Sequence, residues 1–129
     1  MRRLILASHG QLAQGMKHTV EMIVGENEGI TCLMLEPGHH PDELKQMAEQ
    51  RIQEFPDDEF IIICDLFGGS VANALMHLCP IPKVHVLTGM NPALVISLCT
   101  ANEEEVTTDV IHNALQEAKK YMLYTNELM

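Results

Sequence analysis

The chain has no tryptophan, and aromatic residues make up only 4% of its 129 positions. Aliphatic side chains and nine methionines must therefore fill the core. Met16, Met22, Met47 and Met76 stand at helical spacings that suit this task. Basic residues are scarce too: eight Lys and Arg face eighteen Asp and Glu, for a net charge of −10. A nucleic-acid partner requires a basic face, so that class is excluded. The acidic balance suits solubility and docking on basic protein surfaces. No apolar run reaches the ~20 residues that cross a bilayer. Arg2-Arg3 opens like a signal peptide, but only Leu4 to Ala7 follow before Ser8, too few for its apolar region. The expectation is a cytoplasmic protein that reaches any membrane only through a partner. Cys32, Cys64, Cys79 and Cys99 form no C-x-x-C pair. They read as free thiols in a reducing compartment, with Cys64 and Cys99 in core-like apolar contexts. His39, His40 and His77 match no zinc-ligand spacing and read as turn histidines. The expectation is no metal and no cofactor.

Apolar residues reach 47%, enough for a single domain over residues 1–129. Leu4 to Ala7 is a short aliphatic strand ending in Ser8-His9-Gly10. Leu12, Met16, Val20, Ile23 and Val24 then trace a helix that stops at Gly25. Ile30 to Leu35 reads as a second strand. Pro41 opens a second helix with the stripe Leu44, Met47, Ala48 and Ile52, and Glu59 to Cys64 is a third strand. Helix three spans Ser70 to Leu78, strand four Val84 to Thr88, and helix four follows Pro92 and ends near Thr100. Helix five takes Thr108 as its cap and buries Val110, Ile111, Ala114, Leu115 and Ala118. The tail Tyr121 to Thr125 has strand character. This alternation implies an α/β fold: a doubly wound parallel sheet with helices on both faces. Four such units suit the strand order 2-1-3-4, with the switch point between strands one and three. Neighbouring strands lie ~4.8 Å apart. His9 and Asp65, just past two carboxyl ends, then come within reach of each other.

A neutral imidazole attacks through one nitrogen only when the other holds the proton. Asp65 is placed to accept that N–H, orient the ring and raise its basicity, with His9 as the nucleophile. After Asp65 the chain reads Leu66-Phe67-Gly68-Gly69-Ser70. Gly68 and Gly69 let backbone N–H groups approach an anion, and the Ser70 hydroxyl adds a donor. An ordinary helix N-cap is an equal reading for Ser70 and leaves the other role open. Phe67 is a candidate partner contact at the mouth of the site, with a buried aromatic as the alternative. Together these residues point to phosphoryl transfer.

The Ser8-His9-Gly10 turn and the run Asp65-Leu66-Phe67-Gly68-Gly69-Ser70-Val71-Ala72-Asn73 resemble the mannose-family enzyme IIA. That family serves the bacterial phosphoenolpyruvate-dependent sugar phosphotransferase system. The likeness extends to the Pro37-Gly38 loop and Gly89-x-Asn91, with Asp-x-aromatic-Gly-Gly-Ser as its most specific part. The resemblance implies a cytoplasmic domain whose histidine, here His9, takes a phosphoryl group from the phosphocarrier HPr. Enzyme IIB then accepts that group and phosphorylates sugar that arrives through a membrane permease. It also implies Asp65 as the carboxylate partner, Ser70 facing the phosphate, and a homodimer that exchanges a C-terminal antiparallel edge strand, here Tyr121 to Thr125. Two positions depart from the pattern: Val71 stands where many members have proline, and Pro92 comes one place early. The acceptor IIB is expected to be a separate protein.

Three rivals compete. The phosphotransfer subunit of a dihydroxyacetone kinase shares the fold and an N-terminal histidine, but resembles the chain less after strand three. A small serine hydrolase would use Ser70, since Gly68-Gly69-Ser70-Val71-Ala72 loosely matches a G-x-S-x-G elbow with its last glycine replaced. A receiver module would take its phosphate on Asp65, yet Ser8-His9 stands where it needs an acidic pair.

Overall fold

Four parallel strands, β1 (Arg2–His9), β2 (Ile30–Leu35), β3 (Glu59–Cys64) and β4 (Val84–Thr88), pair in the order β2-β1-β3-β4. The computed structural model describes all residues 1–129 and divides into two compact units, Met1–Met90 and Asn91–Met129. The first unit holds the sheet, α1 (Leu12–Val24), α2 (Pro41–Glu54), α3 (Ser70–Leu75) and a 3-10 turn at Met76–Leu78. The second holds α4 (Pro92–Thr100), α5 (Thr107–Lys119) and a 3-10 turn at Thr125–Leu128. The sheet order is the expected one.

Alternation along the strands explains the layers. Ile5, Ala7, Leu33, Phe60, Ile62 and Cys64 point to one face, where α2 contributes Leu44 and Ala48 and α3 contributes Val71 and Leu75. Leu4, Leu6, Ile61 and Ile63 point the other way. On that face the Cys32 thiol donates to the Ala13 carbonyl of α1 at 3.4 Å. Each fully buried Ile, Leu or Phe here contributes about 1.5–3 kcal/mol by leaving water. The chain leaves β1 through α1 on one face and β3 through α3 on the other. That divergence opens a crevice beyond the carboxyl ends of two adjacent strands.

Several expectations are corrected. Met22, Met47 and Met76 are exposed, and only Met16 joins the core. In α1 the buried positions are Ala13, Met16 and Val20, while Leu12 and Ile23 stay in water. A helix resting on a sheet hides a narrow arc, and residues one step off that arc are exposed however apolar they are. Helix three loses its α geometry after Leu75. In α5 the N-cap is Val106 instead of Thr108, and Thr107 is buried. Of the two cysteines placed in the core, Cys64 is fully buried and Cys99 half-buried. Burial, reinforced by the Asp65 carboxylate, pushes the Cys64 thiol up to about 12, so it stays protonated. His40 caps α2 by accepting the Asp42 N–H, and His39 pairs with Glu43. The stretch Tyr121 to Thr125 is not a strand in this single chain: residues 122–124 are irregular and Thr125 begins the last turn. A strand exists only against a partner edge, and the sheet of one chain has four strands. No helix is long and apolar enough to cross a membrane.

Candidate active site

Two turns frame the crevice. In the first, buried Ser8 accepts the Ala13 N–H at 2.8 Å and donates to the Gly10 carbonyl at 3.2 Å. Gly10 turns the chain with φ +54°, and its N–H is held by the Leu35 carbonyl at 2.8 Å. His9 is therefore gripped on both sides while its ring projects outward, 49% exposed. In the second turn, the Asp65 N–H donates to the Ala7 carbonyl at 3.1 Å and ties it to the end of β1.

The carboxylate of Asp65 is only 9% exposed and fully engaged. Its Oδ2 lies 2.7 Å from His9 Nδ1 and also accepts the His9 backbone N–H at 2.8 Å. Its Oδ1 accepts the Leu66 N–H at 2.9 Å. Burial pushes this carboxyl up, but the backbone and ring of His9 and the Leu66 amide outweigh it and hold it below the ordinary aspartate value. An ionised carboxylate can only accept, so the proton of the neutral imidazole sits on Nδ1. The Nε2 lone pair is left free and points at the Ser70 hydroxyl, 3.1 Å away.

Ser70 is not the helix cap. Gly69 occupies that position in extended geometry, and Ser70 is the first residue of α3. Its hydroxyl is thus released toward His9. The Gly69 amide is also placed otherwise than expected: it closes the turn on the Leu66 carbonyl at 3.1 Å instead of facing the crevice. What Gly69 contributes is room, because a Cβ there would stand 3.4 Å from His9 Cε1 and 3.3 Å from the Leu66 carbonyl oxygen. Gly68 supplies the turn with φ +84°. Phe67 and Leu66 are 73% and 63% exposed, so Phe67 is not a core aromatic. Val71, at the proline position of the resemblance, is fully buried in α3. Asn91 caps α4 by accepting the Leu94 N–H at 2.9 Å, with Pro92 opening the helix.

The opposite wall carries no recognisable motif in the sequence. Gln11 donates to Glu36 at 2.7 Å, clasping the turn after β1 to the loop after β2. That loop borders a cavity of about 380 Å³ lined by His9, Glu36 and His39 among others. The only local signal was the Glu36-Pro37-Gly38 break, which reports a turn but no partner. No group of three His, Cys, Asp or Glu side chains is placed to hold a metal ion. Ser70→Ala is expected to slow phosphoryl transfer about tenfold, since one neutral donor is lost. Rapid-quench rates of the variant against the parent protein test this.

The chain is 29% identical over 117 residues to the PTS system sorbose-specific EIIA component of Klebsiella pneumoniae, covering 90% of this chain and 85% of that protein. Among solved structures, one described as a phosphoenolpyruvate-dependent sugar phosphotransferase system permease from Klebsiella pneumoniae is 35% identical. It superposes with a TM-score of 0.88 over 98% of this chain and 93% of that one. The PTS IIA protein associated with the fucose utilization operon of Streptococcus pneumoniae is 29% identical, with a TM-score of 0.82 over 99% and 96% of the two chains. The family model for the PTS system fructose IIA component matches residues 3–115. The chain therefore belongs to this EIIA-man family, the IIA components that carry phosphotransfer in sugar phosphotransferase systems.

Proposed function

We propose that the protein is a phosphoryl relay in which His9 accepts a phosphoryl group at Nε2 from phospho-HPr and passes it to a histidine of enzyme IIB. One observation carries this reading: Asp65 holds Nδ1 at 2.7 Å, which leaves Nε2 exposed beside the Ser70 hydroxyl. The Nε2 lone pair attacks phosphorus as the donor N–P bond breaks, and the donor imidazole departs with the electron pair. The proton stays on Nδ1, and the ionised Asp65 that accepts from it offsets the charge that develops on the ring. Ser70 turns its hydroxyl from Nε2 to a phosphoryl oxygen. Onward transfer reverses these steps. Exchange between two phosphohistidines is near balance, so positioning suffices and no cofactor enters.

Residues 1–129 act as one cytoplasmic EIIA unit in this reading, and membrane components are met only through partners. Phe67, exposed beside the site, is the natural contact for the docking proteins. The exposed apolar tail at Tyr121, Met122, Leu123 and Tyr124 supports a homodimer in which this segment becomes an edge strand of the other subunit. The test is incubation with phosphoenolpyruvate, enzyme I and HPr. An acid-labile, alkali-stable phosphate at Nε2 of His9 is expected, and an unmodified ring ends the proposal.

A second reading has one observation in its favour. Asp65, His9 and Ser70 stand in the order of a hydrolase triad, with Ser70 Oγ 3.1 Å from Nε2. Labelling of Ser70 by a fluorophosphonate would favour it.

A further inference from the structure

Two histidines border the same cavity, and each has a carboxylate on Nδ1. One is His9. The other is His39, whose Nδ1 lies 2.8 Å from Glu43 Oε2 in the first turn of α2. Its ring is well exposed, and its Nε2 makes no hydrogen bond within the chain. The Glu43 carboxyl is held below its ordinary value, chiefly by its hydrogen bond from His39.

The charge balance of the crevice gives this second pair a role. A phosphoryl group on His9 adds negative charge to a chain already at −10. It also adds to a site that contains Asp65 and Glu36. No Lys or Arg lines the cavity or bonds to His9, Asp65 or Ser70. Besides His9 itself, His39 is the one side chain lining the cavity that can become cationic. Glu36, on the same loop, is directed at the neutral amide of Gln11 at 2.7 Å. Outside the cavity lining, His40 Nδ1 and Asp42 Oδ2 sit 3.6 Å apart and face each other.

We propose that His39, as an imidazolium oriented by Glu43, is the countercharge for the phosphoryl group on His9. The inference rests on the relay reading above. His39 acts through space on the phosphorylated state, so it is a positioning and charge-balancing residue. Only a protonated imidazole carries charge, so lower pH favours this support and higher pH removes it. The pair is solvent-screened, so the effect is modest.

The test is the equilibrium between phospho-His9 and phospho-HPr, measured for the parent protein, His39→Gln and His39→Arg. His39→Gln is expected to lower the phospho-His9 fraction about threefold near pH 6 and to leave it unchanged near pH 8.5. His39→Arg should match the parent near pH 6 and exceed it near pH 8.5, because its charge persists. Equal ratios for parent and His39→Gln at both pH values overturn the proposal. So does a loss of equal size at both pH values that Arg does not restore. A parent protein that takes no phosphate on His9 defeats the relay reading itself, before any variant is compared.

Discussion

His9→Ala is expected to abolish phosphoryl labelling by the phosphoenolpyruvate, enzyme I and HPr system, a drop of about 10⁴-fold or more. The reason is positional. Only at His9 do a buried carboxylate on Nδ1 and a serine hydroxyl at Nε2 coincide. His39 has the first feature without the second: its carboxylate is solvent-exposed and no hydroxyl meets its other nitrogen. The fold should survive the change. The ring is half in water, and the backbone N–H of His9 still donates to Asp65. Two side-chain hydrogen bonds are lost, for about 1–2 kcal/mol. Labelling followed by intact-mass spectrometry, beside thermal unfolding of the same sample, separates lost chemistry from lost structure. Residual labelling near the parent level would move the acceptor to another residue.

Asp65→Asn is expected to slow transfer about 10²–10³-fold while His9 remains the labelled residue. An amide can accept the Nδ1 proton weakly, yet it can equally present its NH₂ group and select the wrong tautomer. It also carries no charge to stabilise the ring as phosphorus bonds to Nε2. A second consequence concerns stability. The native carboxyl lies below its ordinary value because the His9 backbone, the His9 ring and the Leu66 amide outweigh burial. A depressed native value stabilises the fold above the unfolded-state value of ~3.9 and loses that contribution as pH falls through the native one. The stability gap between parent and Asp65→Asn should therefore be constant near neutrality and shrink below about pH 4. Urea unfolding at both ends of that range reads the gap, and rapid-quench kinetics reads the transfer. A variant that transfers at the parent rate would leave Asp65 without its assigned role.

Strand positions were legible because aliphatic and β-branched runs such as Phe60 to Cys64 have one comfortable home, a sheet buried on both faces. Helical faces were legible only in part. Periodicity relates Leu12, Met16 and Val20 to one another, but the angle at which α1 meets the sheet selects Ala13, Met16 and Val20 instead. The meeting of His9 and Asp65 followed from strand order. The placement of the Ser70 hydroxyl against His9 did not, since whether the serine or the glycine before it caps α3 depends on one backbone torsion pair. Gln11 with Glu36 and His39 with Glu43 escaped notice for a related reason: a surface polar residue acquires its partner only when two loops are brought together.

By itself, then, the amino-acid order determined the α/β class, the four buried strands, and the imidazole and carboxylate that terminate two of them. Those properties follow from local polarity patterns and from the handedness of strand–helix–strand crossovers. The tertiary structure alone decided which ring nitrogen is free, what faces it, and which second histidine shares its cavity. Each of these turns on a hydrogen bond between distant segments, and such a bond depends on a few tenths of an ångström that no residue pattern encodes.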